Sequence, residues 1–344
     1  MGIIWFWLTA VMLVLYVVLD GFDIGVGAIH LLAGRSPEER ALALRSIGPV
    51  WDGNEVWLLA GGGTLFFAFP PLYATGFSGF YLPLMIVLWL LVLRGVSVEL
   101  RMHIGLNVWQ DFFDAVFNFA SALLAVFLGA ALANVIRGVP IGADGYFFVP
   151  LWTNWQVGPY PGILDWYTVI GGVLALVALS VHGAFYLAVK TEGEVQQRAR
   201  KIAGGLLPLL GLMTLVGLWA TMRVQPMTVQ NYKHWPIALL IPAAVAVSYV
   251  LMFVFLRSKQ DFRAFLSTSV FLATMLAGAV VGLYPTLLPS TLGPEYSITI
   301  DNSLSGHHGL AVGLVWWGIG MAIAAFYFIF VYRMFRGKVQ MTAH

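Results

Sequence analysis

Apolar runs long enough to span a bilayer alternate with short polar or Pro/Gly-rich stretches nine times along the chain. They lie at approximately 3–32, 52–71, 78–100, 112–136, 165–189, 203–222, 236–256, 264–285 and 308–332. A hydrocarbon core about 30 Å thick takes roughly 20 helical residues to cross, so the pattern predicts nine transmembrane helices. The second run is the least apolar: it opens on Asp52 and Glu55 and carries the glycine run Gly61–Gly63.

Basic residues support this count. The connections after runs 1, 3, 5 and 7, together with the C-terminal tail, hold Arg35, Arg40, Arg45, Arg94, Arg101, Lys190, Arg198, Arg200, Lys201, Arg257, Lys259, Arg263, Arg333, Arg336 and Lys338. The other side holds only Arg137, Arg223 and Lys233. Cytoplasmic connections collect Lys and Arg, which predicts an N-terminus outside and a C-terminus in the cytoplasm. Dropping a middle run would scramble the alternation. The connections 138–164 and 286–307 on the basic-poor side are rich in Pro, Gly and aromatics, and are expected to pack rather than float.

Composition agrees. Of 344 residues, 60% are hydrophobic and 10% charged, against about 25% charged in soluble domains. No basic stretch precedes Trp5–Leu19 and no small-residue cleavage site follows, so no cleaved signal is expected. Cysteine is absent, which excludes disulfides, thiolate metal sites, iron–sulfur clusters and CxxCH haem attachment. Nucleic-acid motifs and extended basic patches are missing. The expected fold is an all-α polytopic membrane protein forming one integral-membrane domain over 1–344. Its first four helices occupy 1–137. An outer loop and four more helices occupy 138–285, and an outer loop, the last helix and a cytoplasmic tail occupy 286–344.

The candidate chemistry lies in the acids. Asp20 and Asp23 stand three apart in LYVVLDGFDIGVGAI, and Asp52 and Glu55 three apart in VWDGNEVWLL. Residues at i and i+3 share a helix face, and ionised carboxylates in hydrocarbon are costly and seldom face lipid. The alternation brings all four, with Glu99, to one depth near the cytoplasmic side. That depth suits a polar path, an ion-pair network or a proton relay.

These stretches resemble subunit II of cytochrome bd-type ubiquinol/menaquinol oxidases. The resemblance rests on Asp20–Gly27 (DGFDIGVG), Gly48–Leu58 (GPVWDGNEVWL), Phe69–Ala74 (FPPLYA), Phe77–Leu82 (FSGFYL), Arg94–Arg101 (RGVSVELR), His182–Thr191 (HGAFYLAVKT) and Tyr284–Thr299 (YPTLLPSTLGPEYSIT), in the family's order over nearly the whole length. It implies two four-helix bundles plus a peripheral helix, in a bacterial inner-membrane complex that oxidises quinol and reduces dioxygen to water. It places haems b and d in subunit I, the partner of a heterodimer to which small single-helix accessory subunits add. In some members a quinone sits in subunit II as a structural element. The acid of the family's WDGN motif, reported to lie on a proton path, maps onto Asp52; with Asp20, Asp23, Glu55 and Glu99, which share its depth, it makes up the candidate proton-path set.

Each residue also has a plainer reading. Asp52 and Glu55 suit a helix N-terminus, with Asp52 as N-cap. Asp20 and Asp23 can accept from backbone N–H groups, Trp51, Trp57 or Arg94, while Gly21, Gly25 and Gly27 allow close helix approach. Glu99, between Arg94 and Arg101, reads as half of a rim ion pair, and Asp114 as a cap. His182 is the one candidate haem ligand, and a neutral histidine bonded to a neighbouring helix explains it as well. His30 and His103 read as solvated rim residues, and His307 and His308 as polar loop residues. The glycines Gly306, Gly309, Gly313, Gly318 and Gly320 offer a docking face on the last helix. Two rival functions remain: a proton-coupled secondary transporter, suited by intramembrane acids and glycine breaks, and a purely structural assembly subunit.

Overall fold

The computed structural model describes residues 1–339; the last five residues of the expected cytoplasmic tail, 340–344, lie outside the described residues. Among the described residues nine long helices follow in chain order: α1 (Gly2–Ala28), α2 (Trp51–Ala68), α3 (Tyr81–Leu100), α4 (Asn107–Arg137), α5 (Trp166–Lys190), α6 (Gly193–Val224), α7 (Leu240–Arg257), α8 (Asp261–Leu283) and α9 (His307–Met334). Among the described residues, eight helices are long and apolar enough to cross a membrane. The ninth, α2, is a continuous helix of 18 residues whose first turns are made polar by Asp52, Asn54 and Glu55. It lies along α1 and buries Asn54 and Trp57.

The ends differ from the apolar runs wherever polar sequence is helical too. α4 begins at Asn107 and α6 at Gly193, each well before its apolar stretch, so the basic sequence around Arg198 and Arg200 forms helix rather than loop. Between the second and third runs a separate helix, Pro70–Gly79, precedes α3. Near the basic residues, Ser36 caps the helix Pro37–Ile47 in a reciprocal box with Glu39, and Glu39 also pairs with Arg198. Partial burial works against the Glu39 charge, yet Arg198 and two backbone N–H groups hold its carboxyl below the ordinary value.

In the first group of helices, α1 packs on α2 and α4, and α3 on α4. In the second, α5 packs on α6 and α8, and α7 on α8. The groups share one core because α5 also packs on α1 and α4, and α1 on α8; Phe22, Phe117, Phe185 and Phe271 belong to the same buried cluster. α9 is peripheral and attaches through α2: Phe328 meets Trp57 at a ring separation of 5.2 Å, and the Phe67 ring fills the space beside Gly313. Gly306, Gly309, Gly318 and Gly320 meet no side chain within 4 Å.

At the opposite end the two long connections do pack. Val139, Ile141, Phe147, Val149 and Ile163 form a buried cluster with Leu288 and Ile298. The latter two sit on a small antiparallel pair, β1 (Thr286–Leu288) and β2 (Ile298–Thr299). Arg137 anchors this layer. It pairs with Asp165, donates to the Gly162 carbonyl at 3.0 Å and to Asn134 Oδ1 at 2.6 Å, while Asp165 caps α5 through the Tyr167 and Thr168 amides.

α1 and α5 meet backbone to backbone. A Cβ at Gly25 would stand 1.9 Å from the Leu179 carbonyl oxygen, and one at Gly183 2.2 Å from the backbone of Gly25 and Val26. Small residues at such crossings let apolar helices gain dispersion contact where no hydrophobic effect drives them together. We therefore expect Gly183→Val to cost at least about 3 kcal/mol through overpacking and to abolish accumulation of the folded chain, read by size-exclusion chromatography of a fluorescent fusion. Gly205→Ala, at a position with nothing within 4 Å, should leave accumulation unchanged.

Candidate functional site

The end of α1 that carries Asp20 and Asp23 meets the starts and ends of several other helices at the basic rim. Asp20, fully buried, accepts from Arg94 Nη2 of α3 at 2.6 Å, and the same nitrogen donates to Glu55 of α2 at 3.2 Å. The Arg94 guanidinium lies 6.0 Å from the Trp51 ring centroid, which holds the long side chain between α2 and α3. Asp23, one turn further on, accepts from Asn54 Nδ2 at 2.7 Å, and Tyr332 of α9 donates its hydroxyl to Asn54 Oδ1 at 2.8 Å. Two chains of contacts thus run Glu55–Arg94–Asp20 and Tyr332–Asn54–Asp23.

Exposure is graded along α2. Asp52 is exposed, Glu55 is 25% exposed, and Arg94 is 1% exposed. Asp52 lies in the first turn of α2 and makes no capping bond, since the N-cap position is Val50; the expected N-cap is replaced by a carboxylate left at the mouth of the network. Beyond Arg94, Asp20 Oδ2, Asp23 Oδ1 and the hydroxyl of Tyr16, one turn before Asp20, are buried without a hydrogen-bond partner among the described residues. Buried polar atoms are nearly always satisfied by protein or water, so these atoms mark a polar interior.

Four of the five acids singled out in the sequence come together here. Glu99 does not: it is exposed, and the arginines that flank it in sequence turn elsewhere. Arg94 joins Asp20 and Glu55, and Arg101 forms a two-pronged contact with Asp114, Nε to Oδ1 at 2.5 Å and Nη2 to Oδ2 at 3.0 Å. Asp114 is therefore not a cap. It sits inside α4, fully buried, and also contacts His30 Nε2 at 2.7 Å. His30 is likewise fully buried rather than solvated, because the chain bends at Ile29 and folds it against Phe117. His103 is exposed, as are His307 and His308.

His182 has both ring nitrogens engaged: Nε2 donates to the Val18 carbonyl at 2.9 Å and Nδ1 meets Thr268 Oγ1 at 2.7 Å. It bridges α1, α5 and α8, and no lone pair remains to serve as an axial ligand. Among the described residues no group of three or more His, Cys, Asp or Glu could hold a metal ion. Asn54, Tyr332, Tyr16 and the His30–Asp114–Arg101 cluster were not singled out in the sequence. The available signal was polar residues within apolar runs: Asn54 lies between Asp52 and Glu55 in the quoted WDGN stretch.

A family profile described as cytochrome bd terminal oxidase subunit II matches residues 1–335. The chain belongs to that family. It is 34% identical over 310 residues to the cytochrome bd ubiquinol oxidase subunit 2 of Bacillus subtilis, covering 90% of this chain and 88% of the relative. With the cytochrome bd-I ubiquinol oxidase subunit 2 of Escherichia coli K12 it shares 30% identity over 335 residues, covering 90% and 87%. Its fold matches a chain of the bd oxidase structure from Geobacillus thermodenitrificans with a TM-score of 0.76 at 16% identity, covering 98% and 99%. This subunit II is thus a multi-pass membrane component of an oxidoreductase complex.

Breaking a buried ion pair by removing one partner typically costs about 3–5 kcal/mol, whereas removing both costs far less. In the purified complex, Arg94→Met should lower the midpoint of thermal unfolding sharply, and Asp20→Asn/Arg94→Met should recover most of that loss. Losses that simply add would show that the two side chains are not energetically coupled.

Proposed function

We propose that this subunit II serves a quinol:dioxygen oxidoreductase in two ways: as scaffold for a haem-bearing subunit I, and as the start of a proton-uptake path. The Bacillus and Escherichia relatives are ubiquinol oxidase subunits, which supports a quinol as the reductant class. The observation that carries the proton role is the graded line from exposed Asp52 through half-buried Glu55 to the buried Asp20–Asp23 corner, where one carboxylate oxygen of each aspartate has no hydrogen-bond partner among the described residues. The distribution of Lys and Arg supports a cytoplasmic position for this rim. Protons drawn there for water formation, with quinol protons released on the other side, build a proton-motive force without pumping.

The same face of α2 supports the scaffold role. Val56, Leu59 and Phe66 are exposed on it at helical spacing with Asp52, and Gly62 and Gly63 beside them meet nothing within 4 Å. Carboxylates in or near hydrocarbon are seldom turned toward lipid, and paired glycines let a second helix approach closely. Subunit I covers this face in our reading, which brings its haem region to the mouth of the acid line. A purely structural role has its own support in the closed Asp20–Arg94 pair, which ties α1 to α3. The proton-coupled transporter has no comparable observation in its favour, since the acids gather at one rim.

Oxygen consumption by Asp52→Asn membranes, normalised to haem content, separates these readings. We expect normal haem with turnover reduced by an order of magnitude or more, the scale of a lost proton-transfer group. Lost haem would assign Asp52 to assembly, and unchanged turnover per haem would remove it from the path.

A further inference from the structure

We infer that a groove between α7 and α8 is a binding site for an anionic phospholipid, one acyl chain in the groove and the headgroup phosphate on a cluster of three cations at its mouth. The groove has a volume of about 270 Å³ and an almost wholly apolar lining. Ala244, Val247, Leu251 and Phe255 form one wall, and Leu266 and Val270 the other. Ser248 and Ser267 lie at its floor but turn their hydroxyls onto the Val245 and Arg263 carbonyls at 2.9 and 2.8 Å, so the floor presents no hydrogen-bonding demand.

Length and direction fit a lipid chain. From Phe255 to Ala244 is eleven residues, about 16 Å at 1.5 Å per residue, or about half of a 30 Å hydrocarbon core. The groove therefore begins at the rim and ends near mid-membrane, the depth of one leaflet. Its walls are open sideways: Val247 is 58% exposed.

Charge at the mouth selects the headgroup. The end of α7, the turn and the start of α8 carry Arg257, Lys259 and Arg263, all exposed. Its one acid, Asp261, is taken by Arg200 through bonds of 2.8 and 2.6 Å. None of the three cations has a carboxylate within ion-pair distance among the described residues. Arg263 is held over the Phe255 ring, 5.8 Å from its centroid, and tied to Gln260 Oε1 at 2.6 Å, so a guanidinium is fixed directly above the apolar slot. Clustered Lys and Arg beside a transmembrane helix attract anionic headgroups, and a fixed guanidinium suits phosphate better than a mobile ammonium.

Native mass spectrometry of the intact oxidase, titrated with phosphatidylglycerol or phosphatidylcholine of matched chains, tests this. Wild type should retain phosphatidylglycerol about tenfold better, the scale expected of one or two such cations. Arg257→Gln/Lys259→Gln/Arg263→Gln should bring that preference to near one, while Arg333→Gln/Arg336→Gln at the C-terminal end of α9 should leave it intact. Leu251→Trp, which fills the groove without touching the cations, should reduce retention of both lipids. Equal retention of the two lipids by wild type would overturn the assignment. So would a preference that survives the triple substitution, one lost equally in the α9 variant, or lipid retention unaffected by Leu251→Trp.

Discussion

A carboxylate can lie within an apolar helix only if something neutralises or solvates it, and here Arg94 meets that demand for Asp20. The guanidinium crosses from α3 to reach α1 and α2 at once, so three helices are fixed relative to one another by a single side chain. Each ion alone would carry a desolvation penalty of several kcal/mol. Their mutual placement is therefore a condition for α1 to carry its acids at all. The second link, Asp23 through Asn54 to Tyr332, extends the same constraint to α9, which otherwise buries little of its surface.

That arrangement requires α1 to be held closely from its other side. The Gly25–Gly183 crossing brings α5 against α1 at backbone distance, and His182, on the neighbouring position of α5, fastens the contact by donating to the Val18 carbonyl. One face of α1 is thus given to close packing and another to the acids. The polar corner consequently lies between a rigid two-group core and the exposed face of α2, where charged residues can be fixed while Asp52 stays accessible. A second buried cluster, His30–Asp114–Arg101, ties the same end of α1 to α3 and α4. It gives this rim a framework independent of Arg94.

Much of this was legible along the chain. Hydropathy marked every long helix because a bilayer crossing imposes a minimum apolar length. The acids at Asp20, Asp23, Asp52 and Glu55 stood out because charge is rare within apolar runs. Less legible were helix starts such as those of α4 and α6, where the helix continues beyond the hydrocarbon and polarity no longer distinguishes it from loop. The pairing of arginines was not legible either: Glu99 lies between Arg94 and Arg101 in sequence, yet Arg94 on α3 and Arg101 just past its end are buried while Glu99 is exposed.

The sequence by itself determined the class of fold, the number of long helices and, through its motifs, the family. These follow from local composition, since solvation by hydrocarbon or water acts residue by residue. Only the tertiary structure decided which partner each buried charge takes, that His182 is a strut, that His30 and Asp114 lie inside, and that Asp52 stands at the mouth of the network. Those outcomes depend on which helix faces meet. They are set by close contacts between residues far apart in the chain, such as Asp20 with Arg94, Asp23 with Asn54 and Gly25 with Gly183, which no single segment encodes.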